Sequence, residues 1–332
     1  MQVSLVAYQG MITKESKAHT ETLSSLSSGD DFLDIAENYF KSISSLINQE
    51  AEKLAFEGRD CQRNGRVLWG LIGKGNYGYG AVLKDVRTKE IKYERDPGDA
   101  ELLPYFYLLY VPTGCDKMML ILQKYGNQGI KGVLANAITA RFNADKEDDL
   151  LKLDFKACLD AEVMYEYFKR GEVKKIRFVM KTLPPDIADK VEDNPERSSD
   201  GEAELSIVKL RDRELRKIFG PMYDDLKAGR RPSGVMLDVK PDIGIPYDFV
   251  KIEVEKPAGQ NKKRKVFDFI KDDGFIESRE INEGDKGVVF TDGLPTYESV
   301  FNKALEYLGE LCENGHVARP NPVPVFPRGV SN

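Results

Sequence analysis

The sequence predicts an α+β protein built on largely antiparallel sheets with helices packed on their faces. Three observations carry that prediction. Short apolar or alternating runs follow one another from residue 66 to 126, separated by turn signals too short to hold a crossover helix, so the connections must be antiparallel. Two of these runs, "YFYLLYV" and "MMLIL", are continuously apolar, as strands buried on both faces are. The helical stretches fall between groups of strands and do not alternate with them one for one, which is not the order of a parallel βαβ sheet.

Taken in order, "QVSLVAYQ" (residues 2–9) alternates as a strand does, and the Ser-rich "ETLSSLSSGD" reads as a loop. Asp30 or Asp31 then caps a long helix, residues 31–57, in which Phe32, Ile35, Phe40, Ile43, Leu46 and Ile47 recur at helical spacing. The strand runs follow: "RVLWGLIG", "YGAVLKDV", "EIKYER", "YFYLLYVP" and "KMMLILQKYG", divided by "KGNYG", "RTK", "DPGD" and "PTGCD". Residues 127–146 predict a helix with Ile130, Val133, Leu134, Ala137, Ile138 and Phe142 as its apolar stripe. A strand at 150–159, a short helix between the Asp160 cap and the Gly171 stop, and a strand at 172–182 complete a first domain, 1–188.

Residues 189–204, "DKVEDNPERSSDGEAE", are polar and contain a proline, the composition of a flexible linker or loop. A C-terminal α+β domain, 205–332, follows, separate or packed with the first as one unit. Its strands are 203–210, 233–240, 248–256 and 263–271, the last two joined by "PAGQNK" as a hairpin, with a short one at "GDKGVVF". Its helices are 211–229 and 295–315, the latter between a Thr296 cap and Gly315. The tail from His316 carries four prolines and is extended, ordered by packing alone.

Composition narrows the function. With 41% hydrophobic and 31% charged residues, the 332-residue chain is of ordinary globular type. A net charge of −6 means that it cannot coat nucleic acid as a whole, so any such site must be a local basic patch. Four cysteines without a C-x-x-C pair imply a reducing compartment rather than a disulfide framework. Two histidines near opposite ends leave little for a zinc site. The N-terminus lacks a basic n-region, and no apolar run approaches the ~20 residues of a membrane span. The expectation is a cytoplasmic protein that does not act at a membrane.

"GLIGKGNYGYGAVLK" (70–84) raises the question of a phosphate-binding loop, since it contains Gly73-x-Gly75-x-x-Gly78. A Walker A loop is excluded because no glycine precedes Lys and then Ser or Thr. A Rossmann loop needs a helix at the third glycine, where its N-terminus would meet the pyrophosphate, but the residues after Gly78 read as a strand. A protein-kinase loop fits a strand pair, yet Lys84 lies too close to Gly78 and neither H-R-D nor D-F-G occurs. The stretch is therefore read as a hairpin between "RVLWGLIG" and "YGAVLKDV", with Gly73, Gly75, Gly78 and Gly80 permitting a sharp turn and close packing.

Nucleophile motifs are weak. No G-x-S-x-G occurs, and Cys61, Cys115, Cys158 and Cys312 have no histidine near in sequence. His316, just past a predicted helix end, reads as part of its C-cap, and His19 as a loop residue. The aromatics of "YFYLLY" and "MYEYF" read as core.

Two constellations remain. "NKKRK" places Lys262, Lys263, Arg264 and Lys265 at a predicted hairpin tip, and Arg230 and Arg231 fall in a second basic cluster, "KAGRR"; a third is "KKIR". A basic hairpin can track phosphates, with salt-dependent affinity. No aromatic residue lies inside "NKKRK", so base stacking is not implied there. The alternative is a metal-dependent nuclease of the PD-(D/E)xK type. Asp238 and Lys240 share a strand face in "LDVK", Asp242 follows, and Glu253 and Glu255 share a face of "KIEVEK", with Asp186 upstream. Lys256 falls on the opposite face from Glu255, and charges alternating along a strand are usually just its solvated face.

The sequence thus points to a non-enzymatic protein that recognises nucleic acid or a partner protein, needing no cofactor, with magnesium only under the nuclease alternative. No metabolic signature occurs, and the expected setting is an accessory role such as a bacterial mobile-element or phage-defence system.

Overall fold

The structure, a computed structural model, describes residues 2–14, 17–44, 46–50, 53–126, 128–143, 151–158, 161–180, 203–208, 249–258, 261–270 and 274–327. It is α+β, with mainly antiparallel sheets and helices on their faces. The chain divides into two units, one of Met1–Phe155 with Ile281–Asn332, the other of Lys156–Glu280. The predicted linker 189–204 falls almost wholly outside the described residues, as do the helix expected at 211–229 and the strand at 233–240.

In the first unit, strands β1 (Val3–Lys14), β3 (Ile47–Gln49), β4 (Leu54–Asn64), β5 (Val67–Asn76), β8 (Leu103–Tyr110) and β9 (Lys117–Tyr125) form a sheet in the order β1-β9-β8-β5-β4-β3. Two further strands, β2 (Lys17–Thr20) and β10 (Leu151–Ala157), pair with β1. The apolar runs sit at the centre: Tyr105–Tyr110 and Met118–Leu122 are buried throughout. Both faces are covered, which is why no alternation is seen there. On one face, helix α1 (Phe32–Ser42) stacks Phe40 on Tyr107, with ring centroids 4.2 Å apart, and helix α2 (Lys131–Asn143) joins it through Phe142 on Phe32. On the other face, helix α4 (Tyr297–Glu313) sets Phe301 on Trp69 and Tyr297 on Phe106.

Local signals cap the start of α1 and both ends of α4 as the sequence implies. The Asp31 carboxylate accepts from the Leu33 N–H of α1 at 2.8 Å, and the Thr296 hydroxyl caps α4. Gly315, at φ +75°, and His316 close the C-terminus of α4 with N–H donations to the carbonyls of Cys312 and Leu311, a Schellman motif. The proline tail packs through Phe326 on Tyr297 and Phe301.

Two expectations are corrected. Helix α1 stops at Ser42 instead of continuing to Glu57. The Ile43 carbonyl accepts the Gly58 N–H at 2.6 Å, the chain turns, and the rest of the apolar pattern becomes β3 and β4. "RVLWGLIG" does not form a hairpin with "YGAVLKDV". β5 pairs with β4 and β8, while β6 (Ala81–Lys84) pairs with β7 (Ile91–Arg95) in a sheet of two strands. The glycines still serve close packing: a Cβ at Gly75 would overlap the Glu101 carbonyl, and Gly78 has φ +101°.

The second unit orders β11 (Glu172–Met180), β12 (Ala203–Val208), β13 (Phe249–Ala258), β14 (Asn261–Ile270) and β15 (Gly274–Ile281) as β12-β11-β13-β14-β15. Val250, Ile252 and Val254 are fully buried on one face, where helix α3 (Ala161–Arg170) brings Tyr167 and Phe168 against Phe267. The remaining short strands, β16 (Phe290–Thr291) and β17 (Leu294–Pro295), belong to the first unit. "GDKGVVF" contributes only its last residue to β16, because residues 282–289 are mostly turns and bends.

Candidate binding sites

The predicted basic hairpin forms. β13 and β14 pair antiparallel out to Ala258 opposite Asn261. The last register pairs are Val254 with Lys265, Glu255 with Arg264, Lys256 with Lys263, and Pro257 with Lys262. Five cationic residues and one acid thus share the end of one hairpin, with two lysines directly opposite. The third cluster, "KKIR", lies on β11, where Lys174 Nζ is 2.5 Å from Glu172 and 3.6 Å from Glu255.

Of the nuclease residues, Asp238, Lys240 and Asp242 lie outside the described residues, as do Arg230 and Arg231. Glu253 and Glu255 are two apart on β13, so they share a face. That face is not simply solvated, since Lys251 and Glu253 are both buried. Buried charges at this density are held by partners. Register sets Glu253 opposite Lys175, and Lys251 between Arg177 and Asp268. Among the described residues, no three His, Cys, Asp or Glu side chains gather as metal ligands.

Neither Cys61 nor Cys312 is activated. Burial raises the Cys61 thiol, with the Tyr107 hydroxyl in hydrogen-bond contact acting the other way, and burial raises Cys312. Such thiols stay protonated near neutral pH and are poor nucleophiles.

A site that sequence reasoning missed lies in the first unit, a cleft of about 640 Å³ between the sheet and the start of α4. It arises from a β-bulge. Gly58 is opposite Ile72 and Asp60 is opposite Leu71, so Arg59 is the extra residue. A bulge turns successive side chains toward the same side, and here Arg59, Asp60 and Leu71 all line the cleft. Gly70 makes this bulge possible, because a Cβ there would overlap the Asp60 carbonyl oxygen. The opposite wall comes from the β16–β17 hairpin, whose Asp292 and Gly293 both have positive φ, as a type I′ turn requires.

Several polar groups in the cleft are held by hydrogen bonds. Asp60 Oδ1 accepts from the Cys61 N–H at 2.9 Å and from Gln62 Nε2 at 3.0 Å, and Oδ2 accepts from the Tyr297 hydroxyl at 2.8 Å. Burial, and then the bond to Asp60, push the Tyr297 phenol far above its ordinary range, so it remains a donor. Gln123 Oε1 accepts from the Phe106 N–H at 2.9 Å where the β8–β9 ladder ends, and the Tyr125 hydroxyl donates to Pro104 O at 2.7 Å. Arg59 Nε reaches Glu57 at 3.0 Å. The "DG" of the turn was the signal in the sequence for this hairpin; nothing there announced the bond between Asp60 and Tyr297.

No protein-family model matches the chain, and no curated protein matches its sequence.

Among the described residues, no helix is long and apolar enough to cross a membrane.

Proposed function

We propose that this is a non-enzymatic recognition protein that holds the phosphate backbone of nucleic acid with the end of the β13–β14 hairpin. The register of that hairpin carries the reading. Lys256 is directly opposite Lys263, with Lys262, Arg264 and Lys265 beside them and Glu255 as the one acid. Like charges directly opposite destabilise a strand pair. A polyanion laid along them turns that repulsion into attraction and releases its counterions. The body of the protein is acidic, with net charge −6, so only such a local end can receive the polymer.

The test is fluorescence anisotropy with labelled single- and double-stranded DNA and RNA over a salt series. Four or five phosphate contacts predict a slope of log K against log salt of about −4 on duplex DNA. Replacing Lys262, Lys263, Arg264 and Lys265 together with Ala should flatten that slope and weaken binding to every sequence alike. Undiminished binding by this variant, or no binding by the parent at low salt, would end the proposal. Cleavage of the probe in magnesium that Glu253→Gln abolishes would replace it with the nuclease.

A further inference from the structure

The cleft of the first unit has walls of opposite charge that do not neutralise each other. Arg59 stands on the β4 wall and Asp292 on the turn of the β16–β17 hairpin, and both line the same space of about 640 Å³. As the extra residue of the β4 bulge, Arg59 is re-aimed out of the regular alternation of its strand. It uses only Nε, on Glu57 at 3.0 Å, and its side chain is 41% exposed. Among the described residues its two terminal nitrogens have no partner, and neither has the carboxylate of the exposed Asp292. No ion pair joins the two residues across the cleft. Between these charges the lining favours apolar contact. Leu71, Leu294 and Val300 belong to it. The polar side chains of Asp60, Tyr297 and Tyr125 there already have partners, so a ligand group offered to them must displace an existing bond. The volume lies within the range of sites that hold drug-sized molecules, about 300–1,000 Å³.

We propose that the cleft binds a small zwitterion with an apolar body, the chemistry of a short apolar peptide with free ends. Its carboxylate meets the end of the Arg59 guanidinium, where two parallel N–H groups suit a carboxylate bidentately. Its ammonium group meets Asp292, and its side chains lie on Leu71, Leu294 and Val300. A simple anion would have Asp292 against it, and a simple cation would have Arg59 against it. A molecule carrying both charges satisfies both walls, and the two mismatches exclude the others.

The experiment is isothermal titration calorimetry of the full chain with the dipeptides Leu-Leu and Phe-Leu, each raised to about 10 mM so that weak binding is read as well. The free dipeptides are expected to bind. N-acetylation removes the ammonium charge and C-terminal amidation the carboxylate, and each should weaken binding roughly five-fold, the loss of one partly exposed charge pair. Two variants assign the ends. Arg59→Gln should weaken the free dipeptide by the same factor yet bind the amide as the parent does. Asp292→Asn should behave likewise towards the acetylated peptide, and Asn also accepts the left-handed backbone of that position, at φ +52°. Both side chains are exposed, so an unchanged urea midpoint of Trp69 fluorescence will confirm folding. A parent that binds neither dipeptide overturns the proposal. Binding that neither cap weakens, or that neither variant weakens, overturns it too, because the charged walls are then not the site.

Discussion

Gly70→Ala tests whether the cleft rests on the bulge at Asp60. The new Cβ would overlap the Asp60 carbonyl oxygen and lie 2.6 Å from the Tyr107 hydroxyl and 2.8 Å from the Asp60 carbonyl carbon. None of these is the free end of a flexible side chain. Asp60 is held in the β4–β5 ladder, and Tyr107 is fully buried under Phe40. The two strands must therefore separate. Overpacking costs about 1–3 kcal/mol, and the upper end applies where backbone has to move. Losing the 3.4 Å bond from the Tyr107 hydroxyl to Asp60 O adds up to about 1 kcal/mol. The sum is about 3–4 kcal/mol. Trp69 is the only tryptophan, next to Gly70 and 2% exposed, so its fluorescence reports on the first unit alone. With a urea m-value of about 2–3 kcal/mol/M, the midpoint should fall by about 1–2 M. Gly132→Ala on α2 is the control: nothing lies within 4 Å of its Cβ position, so it should gain about 0.5–1 kcal/mol. An unmoved midpoint in Gly70→Ala, with the same m-value, would show that glycine is not what permits the bulge.

Other outcomes follow from the same geometry. Tyr297→Phe keeps the ring on Phe106 and Phe326 but removes the donor to Asp60, and should cost about 1.5–3 kcal/mol in the same unfolding assay; no loss would mean that water replaces the hydroxyl freely. Burial pushes the phenols of Tyr39, Tyr105, Tyr110 and Tyr125 up to about 12, and Tyr107 and Tyr297 further. Unfolded phenols titrate near pH ~10. Above that pH the unfolded chain binds fewer protons than the native one, so their contribution is complete below pH ~10 and declines as pH rises towards ~12. Phenolate absorbance of the folded protein should therefore show at least six of the fifteen tyrosines ionising above the pH ~10 of free phenols; uniform titration of all fifteen near pH ~10 would refute this.

Much of the fold was legible because its signals are local. The Asp31 and Thr296 caps, the Gly315 terminus, the apolar runs of β8 and β9 and the β13–β14 hairpin each depend on residues within a few turns of one another. The overshoot of α1 has a physical source: Ile43, Leu46 and Ile47 keep helical spacing, and a short apolar run does not distinguish helix from strand. What separates them is the Gly58 N–H meeting the Ile43 carbonyl, a bond between segments fifteen residues apart. The hairpin misread at "GKGNYGYG" has the same cause. Its glycines were visible, but the partners of β5 are set by burial against β4 and β8.

The sequence by itself determined the class of fold, the Asp31 and Thr296 caps, the Gly315 terminus and the basic hairpin, since capping, periodicity and turn chemistry act over short spans. Tertiary structure alone decided strand partners and the cleft. Asp60 and Tyr297 are 237 positions apart, and the hydrogen bond between them arises only when a bulge in β4 and the first turn of α4 are brought together by packing on the same sheet face.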